Sequence, residues 1–175
     1  MIEPLLEQAG RVAAQLKARG QTIAVGESAA GGLITAALLA VPGASAYCRG
    51  GLVVYTRNAL VSLRSVDVAK LDTMRAATED YARFEAQTLR SHFETDWGLG
   101  ETGAAGPSGN RYGDPAGHVC VAVAGPGLGT SPREVGERSR TIRTGSADRL
   151  GNMQAFAAAA LLLMAETLEG LPAPR

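Results

Sequence analysis

Trp97-Gly98-Leu99-Gly100-Glu101-Thr102 runs directly into Gly103-Ala104-Ala105-Gly106-Pro107-Ser108-Gly109. Pro115-Ala116-Gly117 then opens a second apolar run from His118 to Ala124. Both apolar runs read as strands, and the segment after the first is rich in small residues. Glycine permits positive φ and close backbone approach, while Pro107 stiffens one corner and has no N–H to donate. Such a segment is either a long surface hairpin or a tight loop facing a ligand. A second small-residue loop, Gly26-Glu27-Ser28-Ala29-Ala30-Gly31-Gly32, lies between a strand and a helix and tilts the reading towards a site.

Outward from these loops the pattern alternates. Leu5, Leu6, Ala9, Val12, Ala13 and Leu16 recur at helical spacing and predict an amphipathic helix that stops near Gly20. Thr22 to Val25 is a short apolar strand, Leu33 to Leu39 a helix ended by Val41-Pro42-Gly43, and Gly51 to Tyr55 a second strand. A short helix is expected around Asn58 to Leu63. Thr78-Glu79-Asp80 opens a helix running through Tyr81, Phe84, Leu89 and Phe93, because a hydroxyl cap followed by acids suits the exposed N–H groups and the dipole. Glu134 to Thr144 alternates like an exposed edge strand, and Asp148 to Leu168 is a long alanine-rich helix. Strands interleaved with helices, without an internal repeat, predict a three-layer α/β/α domain over residues 1–170, followed by a frayed tail at 171–175.

Composition narrows the class. The chain has 175 residues, 46% hydrophobic and 19% charged, enough for a real core in one domain. Net charge is zero, arginines are scattered and aromatic residues are few, so no nucleic acid or acidic membrane partner is expected. Cys48 and Cys120 are the only cysteines, which makes a reducing, cytoplasmic setting the default. No signal peptide is expected from Met1-Ile2-Glu3-Pro4, since the first apolar stretch is interrupted by charge, and the apolar segment Met153 to Ala165 is too short for a bilayer span. His92 and His118 fall on different elements, so neither a metal nor another cofactor is expected.

Taken together, the two glycine loops, Gly43-Ala44-Ser45 and Val53-Val54-Tyr55 resemble the C-terminal domain of the CinA family, from about Leu5 to Leu168. Glu27-Ser28-Ala29-Ala30-Gly31-Gly32 is similar to the family's Glu-Ser-x-Thr-Gly-Gly loop, with alanine for threonine. Pro42-Gly43-Ala44-Ser45 matches its Pro-Gly-Ala-Ser turn, and Gly51-Leu52-Val53-Val54-Tyr55-Thr56 its Gly-Val-Val-x-Tyr-Ser strand. Thr78-Glu79 stands where the family has Ser-Glu. Thr102-Gly103-Ala104-Ala105-Gly106-Pro107 with Pro115-Ala116-Gly117 resembles its Thr-Gly-Ile-Ala-Gly-Pro loop and later Pro-Val-Gly.

Members of this family are nicotinamide-nucleotide amidases, which hydrolyse nicotinamide mononucleotide to nicotinate mononucleotide and ammonia; members also occur as competence/damage-inducible proteins. The resemblance implies Ser45 as nucleophile, assisted by Tyr55. Amide hydrolysis needs a nucleophile, a base and donors for the developing oxyanion. The substrate phosphate and ribose would call on the loops, through Glu27, Ser28, Gly31, Gly32, Thr102, Gly103, Ala105, Gly106, Pro107 and Gly109, with Arg57 as a neutralising cation. Taken alone, Ser28 is equally a helix N-cap, Ser45 a turn residue, and Tyr55 a strand-end aromatic. The alternative function is a non-catalytic nucleotide-binding or interaction domain. A homo-oligomer is expected from the alanine-rich face of Ala155 to Ala165.

The chain departs from the family pattern at three places. The family lysine, five residues after the tyrosine, is Leu60 here, and this side chain is expected near Ser45 and Tyr55. Only Lys17 and Lys70 remain as lysines, and a guanidinium such as that of Arg57 is a poor base. In the Gly145-Ser146-Ala147-Asp148-Arg149 segment the two family arginines fall on Ala147 and Gly151, with Arg143 or Arg149 as replacements. Ala30 is the third departure, and all three are expected to face the pocket.

Overall fold

The computed structural model describes residues 2–131 and 134–173. Helix α1 (Leu6–Arg19) buries Ala9, Val12, Ala13 and Leu16, the stripe that the spacing predicts, and ends where Gly20 turns left-handed at φ 61°. Next come β1 (Ile23–Glu27), α2 (Leu33–Ala40) and β2 (Cys48–Val53). The short helices α3 (Arg57–Val61) and α4 (Val68–Leu71) precede α5 (Glu79–Phe93), which starts on the Thr78 cap. Strands β3 (Trp97–Ala104), β4 (His118–Pro126) and β5 (Val135–Arg143) follow, and α6 (Arg149–Glu169) closes the domain.

One sheet holds the five strands in the order β2-β1-β3-β4-β5. Strand β1 runs parallel to β2 and β3, whereas β3, β4 and β5 pair antiparallel, with β5 at the edge. Alternation along the strands sorts the two faces. Ile23, Val25, Trp97, Leu99, Val119, Val121 and Val123 pack with α1, α2 and α6. Ala24, Cys120, Ala122 and Ala124 pack on the other side, where α5 lies with α3 and α4. The architecture is a three-layer α/β/α sandwich, as expected.

Several boundaries differ from expectation for physical reasons. The Pro-Gly-Ala-Ser stretch needs only a 3₁₀ turn, Ala44–Ala46, before the chain enters the sheet, so β2 starts early and leaves Tyr55 beyond its end. Pairing of Ala104 with His118 draws the start of the glycine loop into the β3–β4 ladder. Helix α4 has four residues, too few for a periodicity to show. The alanine-rich face is used inside the domain: Ala157, Ala160 and Ala165 are buried in the core where α6 packs on α1 and α2, so this face is no argument for assembly. Cys48 and Cys120 are buried and free on separate strands. Among the described residues no helix is long and apolar enough to cross a membrane. Of the expected tail, Leu171 packs against the core and Arg19 donates to the Pro172 carbonyl, while Pro174 and Arg175 lie outside the described residues.

Helix α5 lies on β3 at backbone distance. A Cβ on Gly98 would overlap the Ala86 carbonyl, and one on Gly100 the Ala82 carbonyl, so only glycine fits beneath the helix. Into this contact α5 carries Glu85, fully buried beside Gly26. Neither carboxylate oxygen has a hydrogen-bond partner among the described residues. Burial raises its pKa well above the ordinary 4.5, nearby Glu101 and Glu27 raise it further, and the Glu101 backbone amide offsets this only in part.

Two outcomes are expected. Gly98→Ala should lower the unfolding free energy by about 1–3 kcal/mol through overpacking, read from urea denaturation. A neutral Glu85 contributes stability in full below its unfolded pKa, and that contribution is lost as pH rises through the raised folded value. The denaturation midpoint should therefore fall as pH rises above the ordinary carboxylate range, and Glu85→Met should flatten that fall while adding roughly 1–3 kcal/mol at the alkaline end. A variant as pH-sensitive as the wild type would contradict this account.

Candidate functional site

The chain leaves β1 towards β2 on one side, while β3 lies on the other. Strand order therefore reverses between β1 and β3, and in open α/β sheets ligands bind in the crevice outside the carboxyl ends at that point. A cleft of about 700 Å³ opens there. Ser28 enters it from the end of β1, Tyr55 and Arg57 from beyond β2, and Thr102 and Gly103 from the end of β3. Tyr81 of α5 and the Asn110-Arg111-Tyr112 turn complete the wall. Five expected site residues are thus brought together.

The turn behind Ser28 is held by two buried carboxylates. Glu27 accepts from the amides of Gly32 (2.8 Å), Ile34 (3.1 Å) and Thr35 (2.8 Å) and from the Thr35 hydroxyl (2.6 Å). Glu101 accepts from the amides of Ser28 (3.0 Å) and Ala30 (2.8 Å) through a single oxygen, Oε2. Three expectations change as a result. Glu27 caps α2 instead of meeting substrate. Ser28 is not the helix cap, since Gly32 occupies that position and the Ser28 hydroxyl bonds to no described residue. The Gly26–Gly32 loop offers no phosphate cradle, because its donors are already engaged, and neither Gly31 nor Gly32 lines the cleft.

The second loop is also anchored from behind. Ala105 accepts from Asn152 Nδ2 at 2.8 Å, and Gly106 from Arg149 Nη1 at 2.6 Å. Ala105, Gly106, Pro107 and Gly109 stand outside the cleft lining. Thr102 serves the opposite wall: its hydroxyl accepts from the Ala77 amide at 3.1 Å. His118 Nε2 meets the Ala77 carbonyl at 2.9 Å, which places its N–H as donor there. These contacts hold Ala77 at φ 58°, a left-handed conformation that alanine rarely adopts.

Ser45 is not with the others. It is exposed on the 3₁₀ turn that precedes β2, at the end of the sheet where Ile23 pairs with Cys48, whereas the cleft lies past Glu27 and Val53. At about 3.3 Å per residue, β2 alone separates Ser45 from Tyr55 by roughly 16 Å, so the pairing implied by the resemblance does not form within one chain. Leu60 is likewise elsewhere than expected. It is fully buried with Ala24, Val54, Leu71, Phe84 and Leu89, because α3 turns its apolar side onto α5. Ala30 is buried in the main core, and neither Ala147 nor Gly151 lines the cleft. Asp148 stands at the start of α6 with Arg149 as its first residue, and the chain reaches it through an irregular Gly145-Ser146-Ala147 segment in which Gly145 is left-handed at φ 70°. Arg149 also donates to the Tyr55 hydroxyl at 3.2 Å, so it is the replacement arginine that reaches the site, while Arg143 stays on the β5 edge.

Arginines and tyrosines gather at the cleft, together with Asp72. Arg57, paired with Asp72, and Arg111 both line the cleft, and Arg149 sits at its mouth. Tyr112 carries the Arg111 guanidinium 4.9 Å from its ring centre and that of Arg75 at 5.3 Å. No lysine lines the cleft: Lys17 donates to the Pro42 carbonyl, and Lys70 lies over the Phe84 ring. Beneath Ser28, burial pushes the Glu101 carboxyl up to about 7, even though the Ala30 and Ser28 amides favour its ionised form.

Reasoning from sequence missed Glu101, Tyr81, Arg111 and Tyr112. For Glu101 a signal existed: it is the one charge in an otherwise apolar strand run, where only a dedicated partner repays burial. The rest reach the cleft through tertiary packing, which leaves no local mark.

Comparison with known proteins bears on the family and the fold. The CinA C-terminal domain family matches residues 6–168. A CinA-like protein of Anaeromyxobacter sp. (strain K) is 40% identical over 154 residues, covering 88% of this chain and 36% of its own length. One from Synechococcus sp. (strain CC9902) is 45% identical over 106 residues, covering 61% of this chain and 25% of its own length. The chain thus spans about a quarter to a third of the curated relatives it matches. Among solved structures, a CinA superfamily protein from Klebsiella pneumoniae 700603 superposes with TM-score 0.83 at 25% identity over 95% of this chain and 98% of its own. The competence/damage inducible protein CihA from Agrobacterium tumefaciens gives TM-score 0.80 at 27% identity, over 94% and 95%. The chain belongs to the CinA C-terminal domain family.

Proposed function

We propose that the chain is an amidohydrolase that converts nicotinamide mononucleotide to nicotinate mononucleotide and ammonia in the cleft at the carboxyl ends of β1, β2 and β3. The observation that carries this reading is a single one: an unengaged serine hydroxyl, Ser28, faces a cleft of about 700 Å³ rimmed by arginines and tyrosines. That volume suits a small nucleotide. The guanidinium groups of Arg57 and Arg111 match a phosphate, and the tyrosines match a pyridine ring.

In this reading Ser28 replaces Ser45 as nucleophile. Its oxygen bonds to the carboxamide carbon while its proton leaves, and the carbon–nitrogen bond breaks to release ammonia. The proton required by the departing nitrogen comes from Tyr55, whose oxygen accepts from Arg149 and whose own proton stays free to be given. The serine proton restores Tyr55. Water then attacks the acyl-serine, giving the carboxylic acid and free Ser28. Family membership supports the reaction class, and the absence of a lysine at the cleft sets this chain's route apart from the one implied by the family pattern.

Ammonia release from nicotinamide mononucleotide tests the proposal. Ser28→Ala should lower kcat by at least about 10³-fold, the usual scale for loss of a nucleophile. Ser45→Ala should stay within about twofold of the wild type, as an exposed turn substitution does. The reverse pattern would return the nucleophile to Ser45. Calorimetric binding of the mononucleotide without any turnover would instead mark a nucleotide-binding domain.

A further inference from the structure

Glu101 is the only charged residue of β3 and is fully buried, yet it stands one residue before Thr102, which lines the cleft. We infer that Glu101 is a positioning residue for the cleft serine: its ionised carboxylate, by accepting the amides of Ser28 and Ala30, fixes the turn that presents the Ser28 hydroxyl, and the chemistry of the cleft requires that form. As far as turnover is concerned, the inference rests on the amidase reading above.

The geometry is asymmetric. Both amides converge on Oε2, at 3.0 and 2.8 Å, while Oε1 is buried without a hydrogen-bond partner among the described residues. A proton taken up by the group therefore goes to Oε1, where nothing accepts it. Protonation also turns two charge-assisted hydrogen bonds into ordinary ones of roughly half the strength. The turn carries no other side-chain acceptor for these two amides, since Glu27 is committed to Gly32, Ile34 and Thr35. The charged neighbours of Glu101 are both acidic: Glu27 from β1 and, across the sheet, Glu85 from α5. From β4, the residue in register opposite is Val121, which carries no charge.

Burial acts against the ionised form, the Ala30 and Ser28 amides act for it, and the charge of Glu27 acts against it, leaving a midpoint at about 7. Ionisation consequently switches within the neutral range, and hydroxyl placement follows. Small displacements of a reacting group are costly to rate, so kcat should respond more than KM.

The test combines a pH profile with an amide titration. In wild-type protein, kcat on nicotinamide mononucleotide should rise through about pH 7, and the Ser28 and Ala30 amide proton shifts should move with the same midpoint. Glu101→Gln keeps the shape and one acceptor oxygen but cannot ionise. It should lower the alkaline kcat about tenfold, abolish the rising limb, leave KM nearly unchanged and silence both amide titrations. A Glu101→Gln enzyme with the wild-type profile would overturn the inference while leaving the amidase reading intact. If wild-type protein turns over no mononucleotide, the amidase reading fails, and the amide titration decides alone. Amides that titrate near neutrality in wild type, and not in Glu101→Gln, support the positioning role; amides that do not move in wild type overturn it, whether or not the variant folds.

Discussion

The turn between β1 and α2 is satisfied by carboxylates, and the site end of the molecule depends on that. A strand-to-helix turn leaves several N–H groups without backbone partners, and here Ala29 and Ala30 of the turn lie against the core, away from water. Glu27 takes the amides on the helix side and Glu101 those on the strand side. Burying two carboxylates is expensive, and the hydrogen bonds they accept are what offset the cost. Because Glu101 belongs to β3, the second set of bonds also ties the ends of two adjacent strands together. The floor of the cleft is therefore a cross-braced corner and not a free loop.

This corner explains why part of the site was legible in the sequence and part was not. The two glycine loops mark the ends of β1 and β3, and that much follows from local chemistry: small residues are needed where strands stop and the chain turns tightly. What the loops do with their amides is not local. Gly31 and Gly32 look like an anion cradle until Glu27 folds back on them, and Glu101 lies some seventy residues away in the chain. Ser45 and Leu60 failed for a related reason. Spacing along a strand says nothing about which end of the sheet a residue occupies, and a five-residue helix such as α3 has too little pattern to reveal which side faces inward. The elements themselves were far more legible, because the helical stripe of α1, the Thr78 cap and the alternation of β5 are all written in neighbouring residues.

The opposite wall of the cleft is built differently. Ala77 is held in its uncommon conformation by Thr102 and His118, so the entry to α5 is anchored to the antiparallel half of the sheet. At the mouth, Arg149 joins the Gly106 carbonyl to the Tyr55 hydroxyl and couples the start of α6 to the end of β2. The cleft's walls are thus tied to different layers of the sandwich, with Arg149 linking them to α6.

The segment from Thr56 to Ala76 has a consequence for how this fold diversifies. Its two short helices pack into a small cluster around Leu60, Leu71 and Phe84 that is separate from the main core under α1, α2 and α6. One rim of the cleft can consequently be rebuilt by substitution without disturbing the larger core, as a removable jaw mounted on a fixed vice. Selection acting on ligand preference meets little resistance from folding there. A lineage that alters this jaw keeps the same architecture while its chemistry drifts.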